Sequence, residues 1–248
     1  MVYVNAVHPQ EPPVSVGPHL LGWLPPPDFR HVECHPYEPM LGMRGVAVTI
    51  KTPRYAYWQG NMPADVAYSV SRVMSFHHAQ KFDAPWLDAR ICQSNGGAYL
   101  RDAFDVLREE GHREVLYGQA MPVSLGGGVQ SNQWATNVDG IRTALASHCP
   151  VSVGSAWPAE WFTPIERTSG GEGETELWLA NQHAAVDEGR GHAYALWAAS
   201  DRRQAVGLVN TWIEWGRTVV WMDYATMDWM LANGEAECSI AQTSTTSY

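Results

Sequence analysis

The stretch Gln59-Gly60-Asn61-Met62-Pro63-Ala64-Asp65-Val66-Ala67-Tyr68-Ser69 decides the fold of this chain. Pro63 suits the first turn of a helix, where no backbone N–H is needed. Apolar residues follow it at helical spacing, which predicts a helix to about residue 77; they are Val66, Val70, Val73 and Met74. Asp65 is therefore expected at a helix N-terminus, where the dipole stabilises a carboxylate and free N–H groups donate to it.

Further helices and strands are predicted on both sides of this segment. Apolar faces predict helices at 98–110, 138–147 and 224–232. Strand patterns occur in five short runs, at 46–50, 150–154, 193–199, 205–211 and 218–222. Helices come first and strands second. The predicted class is therefore α+β, with a helical half, an antiparallel β half and a cleft between them.

The two ends of the chain differ from the middle in composition. Residues 1–45 hold nine of the 16 prolines, which excludes long helices and favours extended or polyproline II chain. Because this region also contains Trp23 and other large apolar side chains, we expect a Pro-rich arm that packs on its own domain or on a neighbouring subunit. Residues 239–248 are rich in Ser and Thr and are predicted to form a polar tail, loose or docked on a partner. The domain itself is expected at 46–238.

Composition and charge argue against several classes of protein. A net charge of −10 disfavours a nucleic-acid partner, since phosphate binding needs clustered Lys and Arg. No stretch approaches the roughly 18 apolar residues of a membrane span, and the N-terminus has no signal-peptide pattern. Four cysteines without a CxxC pair are a poor metal signature and are expected to be mostly free, buried thiols. No cofactor is expected.

Five residues give the chain a resemblance to papain-like cysteine peptidases. In that family a Gln-Gly pair begins six positions before a nucleophilic Cys that opens a long helix, and here Gln59 stands six positions before Asp65. The resemblance implies that Gln59 is the oxyanion donor and His192 the base. It also implies that Asn210 orients the imidazole and that Trp212 shields their hydrogen bond.

The resemblance covers roughly residues 46–232. The departure from the family pattern is Asp65, which stands where the family has its nucleophilic Cys. A carboxylate attacking an amide would form a mixed anhydride with no evident advantage, so we expect an inactive, vestigial site with Asp65 as a helix cap paired to His192. The other candidate nucleophiles are Cys92, outside the motif, and Cys34, which would enter from the arm.

The function expected from this reasoning is structural. Two segments, Pro150-Val151-Ser152-Val153-Gly154 and Gly191-His192-Ala193, are similar to segments of proteins encoded by tailed bacteriophages of actinobacteria. This resemblance implies a virion component, in the tail or capsid, whose partners are other virion proteins or copies of itself. One alternative is an active hydrolase of peptide or cell-wall amide bonds. Another is a pseudoenzyme that binds a peptide or glycan through the cleft residues Trp157, Trp161 and Trp212, although the 12 Trp are expected mainly to pack the core.

Overall fold

Five α-helices and a large, mostly antiparallel sheet make up the described part of the fold. The computed structural model describes residues 21–28, 35–40, 43–50, 55–116, 119–124, 127–168, 175–180, 191–215 and 218–243. The α-helices in these ranges are α1 (Asp65–His78), α2 (Ala84–Ile91), α3 (Leu100–Glu109), α4 (Val138–Ala146) and α5 (Tyr224–Ala232). The strands are β1 (Ala47–Thr49), β2 (His112–Leu116), β3 (Gln119–Ser124), β4 (Ser131–Ala135), β5 (Val151–Ala156), β6 (Ile165–Thr168), β7 (Thr175–Trp178), β8 (Gly191–Ser200), β9 (Ala205–Val209), β10 (Val220–Asp223) and β11 (Ala236–Gln242).

The large sheet has the strand order β4-β11-β5-β8-β9-β10-β7-β6, and β1 pairs with the far end of β8. Neighbouring strands are antiparallel, as predicted, except that β7 and β10 run parallel. Strands β2 and β3 form a separate hairpin. The α+β class predicted from the sequence is therefore confirmed, with one parallel pair added to the expected antiparallel sheet.

Helix α1 lies between the sheet and the other helices of its half. It packs against β8 and β5 on one side and against α2 and α3 on the other, so even its polar Arg72 is buried and donates to the backbone carbonyls of Asn210 and Tyr57. The helix begins at Asp65 and not in the turn containing Pro63. Its N-terminus is thereby held against the start of β8.

The C-terminal boundary predicted at residue 238 is wrong. Strand β11 continues to Gln242 and lies between β4 and β5, with Ser239 and Ile240 fully buried. Ser239 is accommodated because its hydroxyl accepts a hydrogen bond of 3.0 Å from Asn132 Nδ2. Residues 239–242 therefore belong to the sheet and not to a loose tail.

Part of the predicted N-terminal arm belongs to the core of the domain. Trp23 is 1% exposed and packs in the main hydrophobic cluster, next to the buried Leu24. Farther along, residues 35–37 pair in parallel with the edge strand β4, through hydrogen bonds between Tyr37 N and Trp134 O and between Trp134 N and His35 O. Of the 12 Trp side chains, ten are buried, which agrees with a main role in packing. None of the helices in the described ranges has the length and apolar character needed to cross a membrane.

Candidate functional site

Three elements bring the predicted site residues together. Asp65 opens α1, His192 is the second residue of β8, and Asn210 directly follows β9. Because β8 pairs with β9 and α1 packs against β8, the three side chains meet at one end of the sheet. All three are fully buried.

The imidazole of His192 lies between two oxygen acceptors. Its Nδ1 is 2.7 Å from Asp65 Oδ2, and its Nε2 is 2.7 Å from Asn210 Oδ1. The Thr211 backbone N–H also donates to this Asn210 oxygen at 2.6 Å, which fixes the orientation of the amide. Both ring nitrogens thus face oxygen acceptors, which is the geometry of an imidazolium paired with a carboxylate.

The carboxylate of Asp65 is saturated with donors. Besides His192, Oδ2 accepts the backbone N–H groups of Gly22 at 3.0 Å and Ala193 at 3.1 Å. The other oxygen, Oδ1, accepts the Val66 N–H at 2.8 Å, at the first turn of α1. A buried carboxylate whose oxygens accept four hydrogen bonds in this way is not available to an incoming reactant.

The amide of Gln59 faces its own loop. Its Nε2 donates to Met62 O at 2.7 Å, and its Oε1 accepts a short hydrogen bond from the Thr211 hydroxyl. The Gln59 backbone N–H donates to Thr211 O at 3.0 Å, which ties the loop before α1 to the loop after β9. Gln59 is 1% exposed, so its role is to hold these two loops together beside the site.

Aromatic side chains enclose the His192 ring. Trp212 stacks on it with ring centroids 4.3 Å apart, and Trp157 contacts it edge-on at 4.8 Å. Phe162 in turn stacks on Trp212, and the Trp161 indole N–H donates to Ala180 O. The three indoles considered for glycan binding, those of Trp157, Trp161 and Trp212, are at most 3% exposed. They are part of the packing, and an exposed sugar platform made of them is ruled out.

The space between the two halves of the fold is occupied by residues 22–24 of the chain itself. We call this space the cleft; Ala98 bounds it on the helical side and Gly191 on the sheet side. Trp23 pairs in parallel with Ala98 and antiparallel with Gly191, so that one extended segment joins both walls. The sequence indicated that the arm packs, but it contained no signal for this position.

The side chain of Trp23 enters a pocket in the sheet wall. Its indole N–H donates to Glu237 Oε1 at 2.9 Å, and both residues are 1% exposed. Two glycines make room for the ring, because a Cβ would lie 2.1 Å from the Trp23 Nε1 at Gly154 and 2.4 Å from the Trp23 Cε3 at Gly191. Glu237 and these glycines are site residues that sequence reasoning missed.

Solved structures similar to this chain are those of cysteine proteases and their precursors. Xylellain, a cysteine protease from Xylella fastidiosa, is 15% identical, with 93% of this chain and 99% of that chain covered and a TM-score of 0.64. Digestive procathepsin L2 proteinase from Tenebrio molitor larval midgut is 11% identical, covering 90% and 78%, with a TM-score of 0.62. proCathepsin B S9 from Trypanosoma congolense is 12% identical, covering 91% and 87%, with a TM-score of 0.60. No family model matches the sequence, and no curated protein matches it significantly.

The chain has the papain-like fold. At these identities the similarity establishes the fold alone, and the chemistry has to be argued from the site. Within the papain-like domain, the side chains of Gln59, Asp65, His192 and Asn210 lie together at the cleft, joined by hydrogen bonds directly or through Thr211.

None of the three described cysteines takes part in the hydrogen bonds around Asp65 and His192. Cys92 is exposed after α2, Cys149 is half-buried, and Cys238 is buried in β11. Partial desolvation of the Cys92 thiol, and secondarily the carboxylate of Asp88, raise its pKa, which is the opposite of what an activated nucleophile needs. Cys34, the other alternative nucleophile, lies outside the described residues. Of the expected buried thiols, only that of Cys238 is fully buried among those described.

The described part of the chain contains no group of three or more His, Cys, Asp and Glu side chains arranged to hold a metal ion. The arrangement around His192 consists of an ion pair, amides and indoles. This arrangement can hold a buried charge and accept hydrogen bonds from backbone N–H groups.

Proposed function

We propose that this chain is a papain-like domain without peptidase activity, in which Asp65 stands at the position of the nucleophilic cysteine. The observation that carries the proposal is the condition of this carboxylate, which is fully buried and accepts four N–H groups. Covalent catalysis needs a nucleophile that can reach the substrate carbonyl. A carboxylate with both oxygens engaged does not meet that need.

The surrounding groups support the same proposal. An acyl-transfer site offers a donor to the developing oxyanion, whereas the Gln59 amide is directed to the Met62 carbonyl. A substrate also needs an open cleft, and here residues 22–24 fill it through hydrogen bonds to Ala98 and Gly191. Binding and assembly are the functions that remain for such a domain.

We extend the proposal to an assembly role as a bacteriophage virion component, in the tail or capsid, with other virion proteins or copies of the chain as partners. The support for this step is the sequence resemblance given above, because fold similarity by itself carries no function. Its test is co-purification with assembled particles, detected by mass spectrometry.

The absence of activity is tested with the purified chain and fluorogenic peptides, casein and peptidoglycan as substrates, beside the variant Asp65→Asn. We expect neither protein to release product faster than buffer. Turnover by the unmodified chain that disappears in His192→Ala would overturn the proposal in favour of an active hydrolase. Labelling of a cleft cysteine by a thiol-reactive peptide probe would do the same.

A further inference from the structure

A cavity outside the cleft lies on the helical half of the domain. It is bounded by residues 56–58, by Tyr68 in the first turn of α1, by residues 81–85 at the start of α2 and by the β2–β3 hairpin. Its volume is about 430 Å³, within the roughly 300–1,000 Å³ of small-molecule sites. Neither the pair Asp65 and His192 nor residues 22–24 line it, so a ligand in this cavity is bound apart from the filled cleft.

The floor of this cavity is fixed by hydrogen bonds. The Tyr57 hydroxyl accepts the Phe82 backbone N–H at 2.6 Å and is also bonded to the Ser75 hydroxyl. One wall is held in the same way, because the Val115 N–H donates to the Lys81 carbonyl at 2.8 Å. Tyr57 and Phe82 are at most 3% exposed. The cavity is therefore pre-formed, as small-molecule sites usually are.

Two aromatic side chains of the rim are left accessible. Trp58 is 41% exposed, more than any other of the 12 Trp, and Tyr68 is half-buried. Both rings have a flat apolar face and a polar tip. The surface that they offer fits a ligand with an apolar face and polar groups at its edge.

Unused hydrogen-bond donors accompany these rings. The Trp58 indole N–H, the Tyr68 hydroxyl and the Lys81 ammonium take part in none of the hydrogen bonds and ion pairs that the described residues make. Burial, and secondarily the carboxylates of Asp88 and Asp83, raise the pKa of Tyr68, so its hydroxyl keeps its proton and remains a donor. Asp83 also lines the cavity, which therefore contains one positive and one negative side chain.

These features distinguish between classes of ligand. A purely apolar ligand would bury the free donors unpaired, at a cost in free energy. A ligand with a net charge is repelled by one of the two charged side chains. A pyranose ring meets both conditions, because its C–H face packs on aromatic rings while its hydroxyl and ring oxygens accept hydrogen bonds at its edge.

We propose that this cavity binds a sugar unit of a neutral oligosaccharide, which stacks on Trp58 and accepts hydrogen bonds from Tyr68 and Lys81. The site is distinct from the buried indoles around His192, which offer no exposed platform. Sugar binding here rests neither on the proposed lack of peptidase activity nor on the proposed assembly role.

The test is isothermal titration calorimetry of the full-length chain with cellotetraose, maltotetraose and tetra-N-acetylchitotetraose. We expect saturable binding of at least one of these neutral tetrasaccharides. Trp58→Ala is expected to weaken this binding about tenfold or more, as the loss of a central aromatic contact does. Ile165→Ala is the matched control, since Ile165 is 42% exposed on the edge strand β6 and does not line the cavity; it should bind as the unmodified chain does.

Two further substitutions test the donors. Tyr68→Phe keeps the ring, removes the hydroxyl and is expected to weaken binding about three- to tenfold. Tyr99→Phe is its control, because Tyr99 is also half-buried and lies outside the cavity lining. Lys81→Met, at an exposed position, is expected to weaken binding by a similar factor, and it keeps the test decisive if Trp58→Ala does not fold.

The remaining outcomes overturn the proposal. Absence of saturable binding of all three sugars does so, as does binding that is unchanged in Trp58→Ala, Tyr68→Phe and Lys81→Met. N-Acetyltyrosinamide is titrated beside the sugars, and its binding in their place, lost in Trp58→Ala, would assign the cavity to a peptide side chain. Peptidase activity of the same protein is a separate readout: turnover there refutes the proposed function and leaves sugar binding untouched.

Discussion

Replacing Asp65 by Asn is expected to destabilise the domain strongly, although the two side chains have nearly the same shape. Asp65 Oδ2 accepts three donors and Oδ1 accepts the Val66 N–H. An amide provides one oxygen, so its NH₂ group must face either the Val66 N–H or the three donors at Oδ2. In either orientation the His192 imidazolium also loses its buried counter-charge.

The expected loss follows from these contacts. Each buried donor left unpaired costs about 1–3 kcal/mol, and removing one partner of a buried ion pair costs about 3–5 kcal/mol. The two figures describe overlapping contacts, so they do not add, and we expect the free energy of unfolding to fall by about 3–5 kcal/mol. This is a large share of the roughly 5–15 kcal/mol available to a natural domain.

Urea unfolding followed by tryptophan fluorescence measures the change, with the slope of the transition checked for constancy. Asp139→Asn is the matched control, because the Asp139 side chain is 65% exposed and pairs with Arg142 at the surface; its loss should stay below about 1 kcal/mol. A double-mutant cycle with His192→Leu should give a coupling free energy of about 1–3 kcal/mol. The reasoning is refuted if Asp65→Asn costs no more than the control, or if the two site substitutions are additive.

Two further predictions concern reactivity and pH. Asp65→Cys places a thiol beside His192, but the filled cleft should keep the alkylation of this thiol by iodoacetamide slow. When Trp23→Ala is added, the same thiol should react faster than an ordinary surface thiol at neutral pH. Equally slow labelling of both variants would contradict the geometry. Burial, and secondarily the charge of His78, lower the pKa of His112 from 6.5 to about 3. Below pH 6.5 the unfolded chain therefore binds a proton that the folded chain does not, and the free energy of unfolding should fall by up to about 1.4 kcal/mol per pH unit as the pH drops towards 4. Urea unfolding at several pH values between about 6 and 4 should show a weaker dependence of the unfolding free energy on pH for His112→Phe than for the unmodified chain. An unchanged pH dependence would exclude His112 as its source.

The sequence signals that mark the candidate site residues are local. Asp65 precedes a helix with a clear apolar period, and His192 and Asn210 stand at the start of one buried strand and the end of the next. Helix α2, in contrast, was missed although a signal exists: Asp83 accepts the Trp86 N–H as a cap, and Pro85 stands in the first turn.

The occupied cleft could not be predicted from the sequence. Three extended residues have no period, and their register is set by Ala98 and Gly191, which are distant in the chain. The same holds for β11, where Ser239 looks like tail sequence until its partner Asn132 on the neighbouring strand is known. In both cases the position of the segment is set by pairing with residues distant in the chain, and local propensity does not predict such pairing.

On the proposed assignment, exchanging a cysteine for Asp65 keeps the charge of the site and changes its reactivity. A thiolate and a carboxylate are both anions that a helix N-terminus and an imidazolium stabilise. The carboxylate has two oxygens with about four acceptor sites, so Asp65 holds the Gly22 and Ala193 N–H groups in addition to His192. His192 is then required because a buried carboxylate without a counter-charge would be costly, and Asn210 because the second imidazole N–H needs an acceptor. The presence of a complete base and its orienting amide is thus explained by the burial of Asp65, and it does not require catalysis.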